Sequence, residues 1–256
     1  ELRGRHISSN RYVPMILPDG RSLHGINDAS IRIGLRLSKD ETIVRMPFEV
    51  RHMGSKYPIF SFDFTGAKRG VLPASYDYLR LEGRMQYRLN LPPIGYSQLM
   101  LEGGKIFGKV PYLLLKLHEG NGTYFYDRYA FSCMNFYEFS SDAWISFFYE
   151  HHFNGFLLGR VPLLKKLNWR EVFVFKGVYG TLSARNDGSL PNTKAVMLFP
   201  VGMSSVEHPY LETGFGIENI FRLLRVDCIW RLTHHRAVPG LSIPTFTVNF
   251  SLNLKF

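Results

Sequence analysis

Hydrophobicity along this chain repeats every second residue, and over long stretches it does so without an error in phase. The clearest case sets Leu79, Leu81, Gly83, Met85, Tyr87 and Leu89 against Tyr78, Arg80, Glu82, Arg84, Gln86 and Arg88. Successive side chains on a strand point to opposite faces, so such a segment is a ribbon with one apolar and one strongly polar side. Helical periodicity is almost absent, and an all-β antiparallel fold is the expectation.

The same alternation runs through 31–38, where Ile31, Ile33, Leu35 and Leu37 interleave with Arg32, Gly34, Arg36 and Ser38, and through Phe60, Phe62 and Phe64. Further strands are expected over 45–52, 96–107, 128–139, 143–153, 170–182, 210–217, 225–233 and 245–256. That makes eleven, with a twelfth candidate at 11–17. No internal repeat, low-complexity tract or linker divides the chain, so residues 1–256 read as one β domain.

A soluble sandwich turns its apolar face inward, and a membrane barrel turns it toward lipid. Length separates them, because soluble strands run about five or six residues while a membrane strand needs about nine to eleven. The 78–89 ribbon is longer than a sandwich needs. The C-terminal segment agrees: Phe246, Val248, Phe250, Leu252, Leu254 and Phe256 alternate with polar residues to the last position. A terminal aromatic in that setting looks like the recognition signal of bacterial outer-membrane barrels. Tyr129, Tyr137, Phe139, Trp144, Phe153 and Trp169 fall where interfacial aromatic girdles are expected.

Composition fits a barrel of about twelve strands. Aromatics make up 15% of the chain, and no run of 18 apolar residues exists to form a membrane helix. The net charge of +10 raises the alternative of a basic soluble β protein binding nucleic acid. Its cations, however, are spread singly along strands, as on a polar lumen, and no nucleic-acid partner is expected. Arg80, Glu82, Arg84 and Arg88 are the candidate lumen charges. Cys133 and Cys228 are too few for a disulfide framework or a cysteine-rich zinc site. Glu1 opens the chain without a signal-peptide pattern, which suits a processed protein or a piece of a longer one, and the piece is the expectation.

Three stretches carry a family resemblance: Gly120-Asn121-Gly122-Thr123-Tyr124-Phe125-Tyr126-Asp127 with Met134 to Phe139, Glu150 to Leu158 with Pro162 to Leu167, and Gly214 to Asn219 with Trp230 to Thr233. Over about 120–256 the chain resembles a large outer-membrane family of Bacteroidota whose function is unassigned. Members usually carry a carboxypeptidase-regulatory-like domain ahead of the barrel, which implies a C-terminal fragment or a shortened homologue here. The stretch 170–256 is similar in turn to the outer-membrane insertase superfamily that includes BamA and TamA, whose barrels have sixteen strands. That likeness implies the C-terminal part of such a barrel. The Val-Arg-Gly-Phe or Val-Arg-Gly-Tyr motif of the insertases' luminal loop is absent from this sequence.

Candidate chemistry is sparse. Within Glu150-His151-His152, only Glu150 and His152 share a strand face, so this is the one polar pair that could bind or transfer a proton. His234-His235 reads as a loop pair, and Gly214 and Gly216 as positions where a strand makes room for neighbouring side chains. The segment 161–169 suits a membrane interface or a packed loop. A barrel-borne surface hydrolase, drawing on Asp127, Ser132, Ser183 or Asp187, is the alternative of another class. The preferred reading is non-enzymatic and without cofactor or metal: a component of outer-membrane biogenesis or transport. Its partners would be outer-membrane lipid and lipopolysaccharide, other envelope proteins and the barrel-assembly machinery, at the outer membrane of a Bacteroidota-like cell.

Overall fold

The computed structural model describes residues 1–46, 49–71, 73–190, 193–236 and 242–252. Ten long strands dominate it: β1 (Leu2–Ser8), β2 (Gly25–Leu37), β5 (Ile59–Ala67), β6 (Tyr78–Asn90), β7 (Tyr96–Gly108), β10 (Ala143–His152), β11 (Arg170–Thr181), β13 (Tyr210–Ile220), β14 (Leu224–Arg231) and β15 (Phe246–Leu252). They lie in one antiparallel sheet in the order just given, each beside its neighbour in that sequence. Five short strands stand apart from it. β3 (Thr42–Arg45) pairs with β4 (Val50–Gly54), while β8 (Lys116–Leu117), β9 (Phe139–Ser141) and β12 (Ser204–Ser205) form a three-stranded patch. Among the described residues the α-turn α1 (Pro162–Lys165) is too short to cross a membrane, and no described helix is long and apolar enough to do so.

Expectation and structure agree best where the alternation is cleanest. The 78–89, 96–107, 143–153 and 170–182 segments are β6, β7, β10 and β11 to within a residue or two at each end. Of the expected 45–52 strand, Arg45 ends β3 and residues 50–52 belong to β4, while residues 47 and 48 lie outside the described residues. Residues 11–17 are not a strand either, because the Asn10 side chain accepts hydrogen bonds from the Tyr12 and Val13 amides and turns the chain. The edge strand β1 is unannounced in sequence, since its Arg3, Arg5 and His6 break the apolar rhythm. Residues 128–139 are irregular except at Phe139, and the reason lies in what they fill.

The two faces of the sheet differ. On one, Phe60, Phe62, Phe64, Leu79, Phe107, Ile145, Tyr179, Phe215, Trp230, Phe246 and Leu252 are exposed, an apolar surface of the kind that marks an interaction face. The other face is covered. Met15, Tyr112, Leu114, Leu115, Met197 and Met203, from the 9–24, 109–142 and 182–209 connections, pack on Ile26, Tyr78, Ile106 and Trp144 of the sheet. A second cluster sets Phe131, Met134 and Phe139 against Met100, Phe148, Val178 and Tyr210. Alternation in 128–139 thus reflects burial of a folded-in loop rather than a strand.

Antiparallel order places the two longest connections, 109–142 and 182–209, at the same end of the sheet. The opposite end has turns as short as 91–95 and 221–223.

Candidate functional site

The site is the seat of the 116–138 segment on the covered face, and Glu150 stands at its centre. β10 presents Glu150 and His152 on that face, both almost fully buried. The Glu150 carboxylate accepts hydrogen bonds from the Tyr126 hydroxyl, from Arg128 Nε at 2.8 Å and from Arg225 Nη2 at 3.2 Å. Arg225 also grips Asp227, its neighbour along β14, with Nε to Oδ2 at 2.8 Å. The Tyr126 ring sits between Lys176 at 4.5 Å and Arg225 at 4.4 Å. His152 sends its two ring nitrogens to different carboxylates, Nε2 toward Glu150 at 3.4 Å and Nδ1 toward Glu218 at 3.1 Å, and stacks on Tyr96. The expected Glu150 and His152 pair is therefore brought together, but inside a web of charge that already takes up its oxygens.

Further along, the segment is held mostly through its backbone. Lys176 donates to the Asp127 carbonyl at 2.8 Å and the Ala130 carbonyl at 2.6 Å. Glu212 accepts the amides of Ser132 at 2.8 Å and Cys133 at 2.6 Å, with the Tyr210 hydroxyl at 2.6 Å on the same carboxylate. Arg231 reaches the Cys133 carbonyl at 3.1 Å and Glu138 at 2.5 Å. Lys116 pairs with both Glu102 and Glu119 at 2.8 Å. Buried charges need partners of opposite sign and satisfied hydrogen bonds, so this wall and this segment specify one another. Space remains beside them: a cavity of about 890 Å³ lies among Lys56, Gln86, Arg88, Gln98, Arg128 and Tyr129.

The segment also touches the sheet's last edge. The Tyr126 amide donates to the Phe250 carbonyl and the Phe250 amide to the Tyr124 carbonyl, both at 2.7 Å, a parallel bridge centred on Phe125 and Phe250. Asn249 Nδ2 donates to the Thr123 carbonyl at 3.1 Å. Part of the outer edge of β15 is thereby occupied by the protein's own loop.

The other expected residues fall as follows. Arg80 pairs with Glu82 at 2.7 Å, Arg84 crosses to Glu102 at 2.6 Å, and Arg88 lies over the Tyr96 ring at 4.0 Å. All four candidate lumen charges alternate with the bare apolar face. Of the C-terminal set, Phe246, Phe250 and Leu252 are exposed on that bare face and Val248 is half-buried there, while Leu254 and Phe256 lie outside the described residues. The girdle needs correcting. Trp144 is buried over Gly104, where a Cβ would sit 2.6 Å from the indole, and Phe139 belongs to the second core cluster. Tyr129 and Tyr137 ride on the folded-in loop, and the exposed aromatics at the long-loop end of the strands are instead Phe107, Tyr179, Trp230 and Phe246.

Gly216 does make room, since a Cβ there would collide with the Asp227 carboxylate that holds Arg225. His234 is half-buried against Phe139, whereas His235 is exposed. Among the described residues, Asp127, Ser132, Ser183 and Asp187 form no hydrogen bond to a histidine, and no three acidic, histidine or cysteine side chains converge as metal ligands. Two serine–histidine hydrogen bonds do exist, Ser141 to His118 at 3.0 Å and Ser97 to His151 at 2.8 Å, but all four side chains are buried. Missing from the sequence reading were Tyr126, Arg128, Arg225, Asp227 and Glu218, which only the folded sheet brings to Glu150.

The fold is thus one antiparallel ten-stranded sheet with a bare apolar face, a loop packed on the other face and the two longest connections at one end. The solved structure of BamA from Haemophilus ducreyi lacking POTRA domains 1–3 is similar, with a TM-score of 0.52 at 11% identity over 93% of this chain. This chain spans 45% of the length of that one, and its ten-stranded sheet is open rather than closed on itself. Residues 4–184 match the model of the DUF5686 C-terminal domain, a family of unknown function, and the chain belongs to that family. The match begins well before Gly120, where the sequence resemblance is looser, and ends before the stretches at Gly214 and Trp230. Among curated proteins, none matches.

Proposed function

We propose that this chain is the C-terminal part of an outer-membrane β-barrel that serves envelope biogenesis or transport without carrying a reaction of its own. The observation that carries this reading is the division of the sheet into a bare apolar face and a covered face of paired charge. In lipid, an exposed charge on the outward face costs about 2–4 kcal/mol for Arg or Lys at mid-membrane, and the described centres of these strands place none there. The long connections then face the cell exterior and the short turns the periplasm, as in other outer-membrane barrels. Closure would come from further strands pairing on the edge of β1 and on the part of the β15 edge that the Tyr124–Tyr126 stretch leaves open, as the expectation of a sixteen-stranded barrel requires.

The cations support the same view and argue against nucleic acid. Lys116, Arg128, Arg225 and Arg231 are each committed to a carboxylate on the covered face. With the 116–138 segment seated on β10 to β15, that side is plugged, and the cavity beside Arg88 and Arg128 is the space left for a passing or assembling substrate. Lipid, lipopolysaccharide and other envelope proteins are the partners of this reading, in a Bacteroidota-like outer membrane. Fractionation tests it. The native protein should stay in the outer-membrane fraction through carbonate washing and need detergent for release; release by carbonate or salt would contradict it. His152→Ala and Asp127→Ala should leave no esterase or protease activity to lose, and loss of a measurable activity would favour the hydrolase.

A further inference from the structure

At the short-turn end, two turns meet. Residues 153–169 carry Arg160, Lys165 and Lys166 and no Asp or Glu, and residues 221–223 carry Arg222 and no acid. Asn219 Nδ2 donates to the Asn168 carbonyl at 2.7 Å and ties the turns together. Glu171, the nearest acid in sequence, is turned back to the Leu158 amide. Between the cations stand Leu157, Leu163, Leu167, Phe221 and Leu223, with Leu163 82% and Phe221 87% exposed. Among the described residues none of the four cations forms an ion pair, and Arg160 lies over the Phe156 ring.

We infer that these two turns dock on the anionic phospholipid surface of the leaflet at the short-turn end, with the leucines and Phe221 entering its interface and the four cations meeting its phosphates. Two observations select lipid over a protein. On its 221–223 side the patch continues into the bare face, because Leu224 beside it is paired with the exposed Leu252. Its layering, apolar tips flanked by long cationic side chains with no acid, complements an apolar interior beneath a negative surface. This inference rests on the membrane reading above, and Trp230 and Trp169 test the two separately. Trp230 lies on the bare face near the long-loop end, Trp169 within the patch, and Trp144, the third tryptophan, is buried.

The whole protein that carries this chain, reconstituted in phosphatidylcholine vesicles, is exposed to brominated phosphatidylcholine or brominated phosphatidylglycerol at equal fractions. The Trp169→Phe and Trp230→Phe variants assign the quenching to each indole. Trp230 should be quenched by both lipids alike. Trp169 should be quenched at least twofold more by the phosphatidylglycerol, and this preference should vanish in the R160Q/K165Q/K166Q/R222Q variant and at high salt. Equal quenching of Trp169 by both headgroups, or a preference that survives the fourfold substitution, overturns the docking while Trp230 still reports insertion; a surface built for a protein partner gives that result. An unquenched Trp230 overturns the membrane reading and the docking together.

Discussion

Glu150 illustrates how individual residues hold the covered face. Its carboxylate is met by a phenol and two guanidiniums, so removing it takes away the carboxylate that Arg128 pairs with and leaves Arg225 with Asp227 alone. Breaking a buried pair from one side costs about 3–5 kcal/mol, and Glu150→Ala should lower the unfolding midpoint in detergent accordingly. An unchanged midpoint would mean the web is not structural. His118, in the crown of long loops, sets a pH dependence. Burial pushes it down to about 3, whereas in the unfolded chain it titrates near about 6.5. The unfolded state therefore takes up the proton first. Stability is full above about pH 6.5 and falls toward pH 3, by up to ~1.4 kcal/mol per pH unit. At Asp142, burial works upward, but hydrogen bonds from Ser183 and Lys105 outweigh it and hold the carboxyl below its usual range, extending the same acid loss to lower pH. His118→Gln should flatten the pH 4–6.5 part of the unfolding curve; an unaltered slope would assign it to other groups.

Among the elements, strands and the folded-in segment make different demands. On β5, Phe62 is bare and the adjoining Ser61 faces the covered side opposite Arg84. Phe62→Arg should cost about 2–4 kcal/mol in a bilayer, while Ser61→Glu, facing a guanidinium, should be nearly neutral in a refolding titration. Equal costs would remove the distinction between the faces. The 116–138 segment depends on Lys176 for two carbonyl contacts, so Lys176→Met should let trypsin reach Arg128 faster without unfolding the sheet. Unchanged cleavage would show that Glu212 and the Phe131 packing suffice. These contrasts also explain what sequence could disclose. A strand such as β6 was legible because one face is apolar and the other polar along its whole length. The folded-in segment copied that rhythm for another reason, its alternate residues packing into a core, and β1 hid because an edge strand tolerates Arg3 and Arg5. Glu150 and His152 were legible as a pair from the strand period alone. Their partners Arg225, Asp227 and Glu218 sit two and three strands away in the sheet, a proximity that no local spacing encodes.

For the whole molecule, ten antiparallel strands in sequence order form one open sheet with a loop packed on one face and the two longest connections at one end, the arrangement that the proposed barrel wall and its plug would need. The likeness to BamA agrees with that antiparallel sheet. The central claim is that the bare face meets lipid, and a scan of accessibility along one strand tests it most directly. Cysteines placed singly at residues 60–65, in a chain whose Cys133 and Cys228 are replaced by serine, are spin-labelled after reconstitution into bilayers. Collisions with oxygen, which concentrates in the hydrocarbon, should be high at Phe60, Phe62 and Phe64 and low at Ser61, Asp63 and Thr65. A profile with no period of two, or labels on both faces equally open to a water-soluble relaxant, would contradict the account.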